Sequence, residues 1–294
     1  MSKNQSDLWS EWLLKRRFGG NQEEIKKVAE FLYPIRDKVL GNANLQPDET
    51  LLDVGCGDGL IAFGALEKEP SAQVIFSDIS QPLLDESRSL AAAMDVLPRC
   101  QFINAPAEDL SLLKDEAVNV VTTRSVLIYI TAKQQAFAEF HRVLKPGGRI
   151  SLFEPINSFR YPPPAHTFWG YDVTPVQELA VRVKNVYRQS HPEESSPMLD
   201  FDEYDLIAFA EQAGFAEVHL ELRVDIAPDL IGNDFETRLN MAPNPKAPTV
   251  AEAIAQVLTA AEAKEFTAYL RQKYASGPGV RPSSLAYLWA VRSS

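Results

Sequence analysis

Between Leu51 and Gly59 the chain reads Leu-Leu-Asp-Val-Gly-Cys-Gly-Asp-Gly. A short apolar run ends in an acid and breaks into alternate glycines, and few local patterns restrict a fold more. An apolar run this short suits a central parallel strand buried on both faces. Glycines at alternate positions tolerate positive φ and let backbone come close to a ligand, because no Cβ intervenes. Leu60–Lys68 predicts a helix directly behind the turn. Such strand–turn–helix units occur in α/β folds that hold nucleoside-bearing ligands.

Two chemistries use a turn of this kind. A dinucleotide site needs Gly-x-Gly-x-x-Gly, with a pyrophosphate resting on the helix N-terminus. Here Gly59 comes one residue early, and Asp53 would repel a pyrophosphate while suiting a ligand that carries an ammonium group. Asp53-x-Gly55-x-Gly57-x-Gly59 resembles the first motif of the class I S-adenosylmethionine methyltransferases. The next apolar run, Val74–Asp78, ends in an acid about twenty residues past the glycines, where a carboxylate meets ribose hydroxyls in nucleoside-binding α/β folds. The resemblance implies S-adenosylmethionine as cofactor. Its site is expected to be lined by Asp53, Gly55, Cys56, Gly57, Gly59, Asp78 and Ile79, with the methionine part near Asp53 and Gly55 and the ribose on Asp78. Ala105-Pro-Ala-Glu-Asp109 stands where that family commonly reads Asp-Ala-Glu at the adenine. Pro106 replaces the first acid, which leaves the N–H of Ala107 and the side chain of Glu108 or Asp109 for that contact.

Farther on, Val118–Thr123 reads as a strand, with Arg124-Ser-Val-Leu-Ile-Tyr129 at its carboxyl end. Open α/β sheets bind ligands outside the carboxyl ends of their strands. Arg124 and Ser125 are therefore expected at the cofactor, and Tyr129 in the cleft as a substrate contact and candidate catalytic group. Thr131-x-x-Gln134 predicts a capping box. His141–Gly148 resembles the family's segment before strand five, which makes His141 a helix-surface residue. Strand five, Arg149–Glu154, ends in an acid that is either a substrate contact or a structural hydrogen-bond acceptor.

The first forty residues lie outside this alternation. Leu8, Trp9, Trp12, Leu13 and Arg16 recur at helical spacing, Phe18-Gly19-Gly20 breaks the pattern, and Ile25, Val28, Ala29 and Leu32 share the face of a second helix. Residues 1–45 are expected to form a helical cap over the cofactor, with Arg16 and Arg17 placed to meet a carboxylate. Residues 46–294 form one domain with insertions at about 155–200 and 227–282. The first insertion is aromatic, and Tyr161, His166, Trp169 and Tyr171 are the candidate acceptor contacts, His166 also as a base. His191 lies in its polar end. Thr174–Val186 reads as a helix, Asp200-x-x-Glu203 as the start of the next, and Glu217–Ile226 as an alternating strand. Thr249-x-x-Glu252 and Thr259-x-x-Glu262 are capping boxes in the second insertion, and Leu285–Val291 is the last strand.

By resemblance the fold is α/β, a doubly wound, Rossmann-like, seven-stranded mixed sheet with the last strand antiparallel. The activity implied is transfer of a methyl group to a small-molecule acceptor, through an oxygen, nitrogen or carbon nucleophile, by in-line displacement. A nicotinamide-dependent oxidoreductase and a non-catalytic binding protein of the same fold stay open. A formal net charge of −11 argues against nucleic acid as partner. Two cysteines, Cys56 and Cys100, offer neither a disulfide framework nor a metal cluster, and set thiol-relayed chemistry aside. No apolar run approaches membrane-spanning length, so a cytoplasmic protein is expected, monomer or homodimer.

Overall fold

The computed structural model describes residues 6–17, 19, 22–190, 196–229 and 234–293. Helix α1 (Leu8–Glu11) runs into a π-helical turn, Trp12–Arg16, and α2 (Gln22–Ala43) follows. The alternation then begins: β1 (Thr50–Val54), α3 (Leu60–Lys68), β2 (Gln73–Asp78), α4 (Gln81–Ala93), β3 (Cys100–Asn104), β4 (Val118–Arg124), α5 (Lys133–Val143) and β5 (Leu144–Pro155). The first insertion carries a small hairpin, β6 (Thr167–Phe168) and β7 (Tyr171–Asp172), and then α6 (Gln177–Ser190). Next come α7 (Glu203–Gln212) and β8 (Phe215–Pro228). The second insertion holds α8 (Phe235–Leu239), α9 (Val250–Val257) and α10 (Ala260–Ala275), and β9 (Val280–Arg292) closes the sheet.

The seven strands lie in the order β3-β2-β1-β4-β5-β9-β8. Only β9 runs against its neighbours, pairing antiparallel with both β5 and β8. The order reverses between β1 and β4, which pair parallel with Leu51 opposite Val120 and Val54 opposite Thr123. At such a switch point the connections leave toward opposite faces and open a crevice at the carboxyl ends.

Each face is covered. Leu51, Val74 and Phe76 pack under α3, through Ile61 and Ala65, and under the second half of α2, through Leu32, Ile35, Val39, Leu40 and Ala43. On the other face Leu52, Val121 and Leu288 meet Phe137 and Phe140 of α5 and Leu206 and Ala210 of α7. A third core joins the two insertions, with Phe168, Val183, Phe235, Val250, Ile254 and Phe266 in one cluster.

Several sequence expectations shift. The second half of α2 belongs to the sheet's own core, so the segment lying over the carboxyl ends narrows to residues 7–17. The side chains of Ile25, Val28 and Ala29 lie outside the described residues, as do Phe18, Gly20 and His191. The box at Thr131-x-x-Gln134 does not form: Ala132 caps α5 without a side-chain bond. Gln134 instead donates to the Phe209 carbonyl of α7. Asp200 pairs with the buried Lys133, and α7 is capped by Asp202 with Asp205 as its reciprocal partner. The boxes at Thr249 and Thr259 form as expected. Thr174–Val176 is a 3-10 turn ahead of α6. The last two strands run longer than their alternation suggested, 14 residues in β8 and 13 in β9. Among the described residues no helix is long and apolar enough to cross a membrane.

Candidate active site

The carboxyl ends of the strands open into a cavity of about 1400 Å³. That exceeds the roughly 300–1,000 Å³ of a pocket for one small ligand and leaves room for two. Its inner wall comes from the core: Gly55 and Gly57 after β1, Asp78 and Ile79 at the end of β2, residues 105–108, Arg124 at the end of β4, and residues 125, 126 and 128–130 after it. Trp9, Trp12, Leu13 and Arg17 close it from above. The outer wall comes from the insertions and the start of β9, including Tyr161, Trp169, Tyr187, Met241 and Ser284.

The glycine turn is shaped for a ligand at one position and for packing at another. Gly57 has φ of 55°, and a Cβ built there would meet a single atom, Leu13 Cδ2 at 3.3 Å, before the open cavity. Gly55 has φ of 63°, and its Cβ would lie 2.5 Å from Val126 Cγ2, so the absent side chain lets the two loops of the switch point touch. Beside them the Asp78 carboxylate accepts the Gly57 N–H at 2.8 Å and the Ser80 N–H at 2.8 Å, one on each oxygen. Burial raises its pKa. Each oxygen retains a lone pair, since a carboxylate offers about four acceptor sites. Open backbone next to an acceptor-only group fits a ribose-bearing ligand. Ile79 is apolar yet half exposed on the same wall, and Ala107 and Glu108 stand with it.

Three residues expected in this lining lie behind it. Asp53 is buried: Oδ1 accepts from Thr122 Oγ1 at 2.9 Å and Oδ2 from the Ala62 N–H at 3.1 Å. Burial pushes its pKa up to about 7. It fixes β1 to β4 and to α3, so the ammonium partner expected of it is corrected to a support beneath the turn. Cys56, whose N–H is bonded to the Ser77 carbonyl at 2.9 Å, and Gly59, packed on Phe63, are also outside the wall.

Arg124 and Ser125 do line the cavity, and Arg17 from the N-terminal segment joins them. Burial and the neighbouring Arg124 bring the Arg17 pKa down to about 10. Arg124 lies 4.0 Å from the Asp58 carboxylate. Tyr129 stands edge-on to Trp9 with ring centroids 5.0 Å apart and to Trp12 at 6.4 Å, and burial pushes its hydroxyl up to about 12. The segment over the cavity is tied on both sides. Ser80 Oγ donates to Asp7 at 3.0 Å, and Trp12 Nε1 to the Ala242 carbonyl at 2.9 Å.

Glu154 has no exposed surface. Its Oε1 accepts the N–H groups of Val126 at 2.8 Å and Leu127 at 3.0 Å, and Oε2 that of Ile128 at 3.3 Å. Of its two expected roles the geometry selects the structural one: it grips the turn that presents Val126, Ile128 and Tyr129. Tyr161 and Trp169 line the outer wall, but His166 and Tyr171 do not. The His166 carbonyl accepts from Val173 at 2.8 Å at the outer end of the hairpin, leaving the imidazole in solvent. Tyr171 gives its hydroxyl to the Gly277 carbonyl at 3.0 Å. Trp169 occupies the hairpin turn with φ of 52°, a left-handed conformation that is a genuine outlier for a bulky residue. Leu13, Met198, Tyr187 and Ser284 were not legible as lining residues. They come from separate segments, and no local pattern distinguishes them from packing residues.

Residues 51–148 match a family described as a methyltransferase domain. The chain is 32% identical over 127 residues to a ubiquinone/menaquinone biosynthesis C-methyltransferase of Cereibacter sphaeroides, covering 43% of this chain and 49% of that protein. It is 30% identical over 153 residues to an arsenite methyltransferase of Halobacterium salinarum, covering 50% and 38%. The chain thus spans about half the length or less of these curated relatives. Among solved structures, a geranyl diphosphate C-methyltransferase of Streptomyces coelicolor superposes with a TM-score of 0.54 at 15% identity, covering 94% of this chain and 87% of that one. Over residues 51–148 the chain is thus similar in sequence to a methyltransferase domain, and over most of its length its fold is similar to that of a C-methyltransferase.

Proposed function

We propose that the protein moves the methyl group of S-adenosylmethionine to a small, largely apolar acceptor held against the insertions. The observation that carries this reading is the open Gly57 backbone beside Asp78, at the head of a cavity with room for two ligands. When bound, S-adenosylmethionine supplies an electrophilic methyl group on a sulfonium. The chain's task is then to align a nucleophile and to exclude water.

On this reading Asp78 accepts from the ribose hydroxyls, Ile79 covers the adenine, and Ala107 and Glu108 meet its edge. Gly55 and Gly57 admit the methionine part, with Ser125 alongside, and the paired guanidiniums of Arg17 and Arg124 suit its carboxylate. Tyr129, steadied through Glu154, contributes to both ligands. Tyr161 and Trp169 form flat apolar walls for the acceptor, and the segment 7–17 roofs the site.

The relatives' names cover a quinone-pathway C-methylation, arsenite and an isoprenoid diphosphate. An apolar, aromatic outer wall favours an acceptor with a carbon skeleton. Cys56 and Cys100 both lie off the cavity wall, which argues against thiolate-relayed arsenite chemistry. The test is incubation with methyl-labelled S-adenosylmethionine and a panel of alkylated hydroquinones, phenols and prenyl compounds. Label is expected in an organic-extractable product of at least one carbon-skeleton acceptor. Transfer to arsenite alone would contradict the reading.

A further inference from the structure

Strand β8 is the last in the sheet, and among the described residues no strand lies along its outer side. In an antiparallel ladder alternate residues turn their N–H and C=O to the neighbour, and those between turn theirs away. A long strand left in this state is a template for another chain. β8 is 14 residues long, and its pairing with β9 is regular from His219 to Pro228, a register shift lying between Ala216 and His219.

Between Val218 and Ile226 the strand reads Val-His-Leu-Glu-Leu-Arg-Val-Asp-Ile. Val218, Leu220 and Leu222 pack on the core from one face. Val224 and Ile226 continue that face, 41% and 66% exposed. The other face carries His219, Glu221, Arg223 and Asp225. Lys38 reaches Glu221, and Arg223 Nε lies 2.7 Å from Asp225, yet about half of the Glu221 side chain and more of Arg223 stay exposed.

This order of residues is self-complementary about Leu222. Turn a second copy of the strand antiparallel about a two-fold axis through that residue, and each Glu221 faces an Arg223 and each His219 an Asp225. On the other face Leu222 meets itself, Leu220 meets Val224, and Val218 meets Ile226. Residues of like parity stand opposite one another, so the outward N–H and C=O groups of both strands meet as a ladder. Moving the axis one residue, to Glu221 or Arg223, sets that charge against its own copy, which is destabilising. Moving it farther shortens the paired stretch.

We infer that β8 is a dimer interface, and that its partner is a second copy of this chain, joined edge to edge about Leu222 into one continuous sheet. Val224 and Ile226, exposed in the single chain, then gain Leu220 and Val218 of the second copy. Cross-strand charge pairs fix the register. Ile226 also lines the cavity, which places the second copy beside its rim. Pairing of this kind is independent of the chemistry within the cavity.

Analytical ultracentrifugation of the whole chain at rising concentration tests this. A species of twice the chain mass is expected. Arg223→Glu, with its fold checked by circular dichroism, sets like charges together on both sides of the axis and should weaken the dimer about tenfold or more. Leu222→Cys should form a disulfide between copies under mild oxidation, because that residue stands opposite itself, while Val224→Cys should not. Both variants carry Cys56 and Cys100, so the difference between them reads the axis. A monomer at every concentration would overturn the proposal, as would a dimer indifferent to Arg223→Glu. Cross-linking through Val224→Cys in place of Leu222→Cys would overturn pairing about Leu222.

Discussion

Trp12 donates its indole N–H to the backbone carbonyl of Ala242 across 2.9 Å, and the Ala242 N–H returns a bond to the Arg16 carbonyl at 3.0 Å. Residues 230 apart in sequence are thereby locked edge to edge, and the N-terminal segment becomes a strap between the core and the second insertion. Trp12→Phe keeps most of the ring and removes the donor, leaving a buried carbonyl unbonded at a cost of about 1–3 kcal/mol. A lower melting temperature and weaker binding of S-adenosylhomocysteine are expected together. A variant with unchanged values of both would show that the strap is not held at this point.

Deleting residues 1–17 removes the strap but spares the half of α2 that lies in the core. Such a protein should keep its sheet, read by circular dichroism, and lose about tenfold or more in donor affinity as the Arg17 contact and the roof disappear. Starting the chain near Gln46 would be a different experiment. It strips Val39, Leu40 and Ala43 from the core against Leu51 and Ala65, and the chain should not fold.

That contrast marks where sequence reading stops. The glycine turn was legible because its requirements are local: an apolar strand, positive φ at Gly55 and Gly57, and an acid at the end of the neighbouring strand. The periodicity of α2 announces a buried face but does not say what it packs against, so a core helix was taken for part of a cap. Asp53 was assigned to the ligand on its charge and its place in the glycine motif. The side chains of a strand point to its two faces, and that of Asp53 turns toward Thr122 and Ala62 instead of the crevice. Chain order placed Tyr161 and Trp169 correctly on the wall. The hairpin sends His166 to solvent and Tyr171 to Gly277, an outcome set by the packing of its Gly170 turn against Val280 and invisible in composition.

Gly57→Val should abolish donor binding while leaving the fold largely intact. The branched side chain would enter the cavity within 3.3 Å of Leu13 Cδ2 and would also be strained at φ of 55°. Gly55→Val acts differently. Its Cβ would strike Val126 at 2.5 Å, so a loss of thermal stability is expected as well. Differential scanning calorimetry with and without S-adenosylhomocysteine separates the two.

His166 and Trp169 should part company in kinetics. His166→Ala alters a solvent-facing side chain and should leave turnover within about twofold, as surface changes away from special features do. Trp169→Leu removes a wall of the acceptor site and should raise the acceptor KM about tenfold or more, at little cost to donor affinity. A normal acceptor KM for Trp169→Leu would move the acceptor away from this hairpin.

The buried Asp53 gives a signature in pH. Its pKa rises from 3.8 to about 7 on folding, driven by burial against the opposing bond from Thr122. A group that holds its proton more tightly when folded stabilises the fold below its unfolded pKa, and that contribution is lost as pH rises toward the folded value. Asp53→Asn keeps an acceptor for the Ala62 N–H and cannot ionise. Between about pH 4 and 7, from the unfolded value to the folded one, wild type should lose more stability than the variant. Parallel melting curves across that window would show that Asp53 keeps its charge in the fold throughout.

The donor is expected on the Gly55–Gly57 turn and Asp78, and titration calorimetry with S-adenosylhomocysteine reads that placement. Wild type should bind one equivalent. Asp78→Ala, with its fold checked by melting temperature, should bind about tenfold or more weakly, because hydrogen bonds to a charged acceptor are worth ~1.5–3 kcal/mol each. NAD(H) should give no heat with either protein. An unchanged affinity in Asp78→Ala, or binding of NAD(H) in place of S-adenosylhomocysteine, would contradict the account.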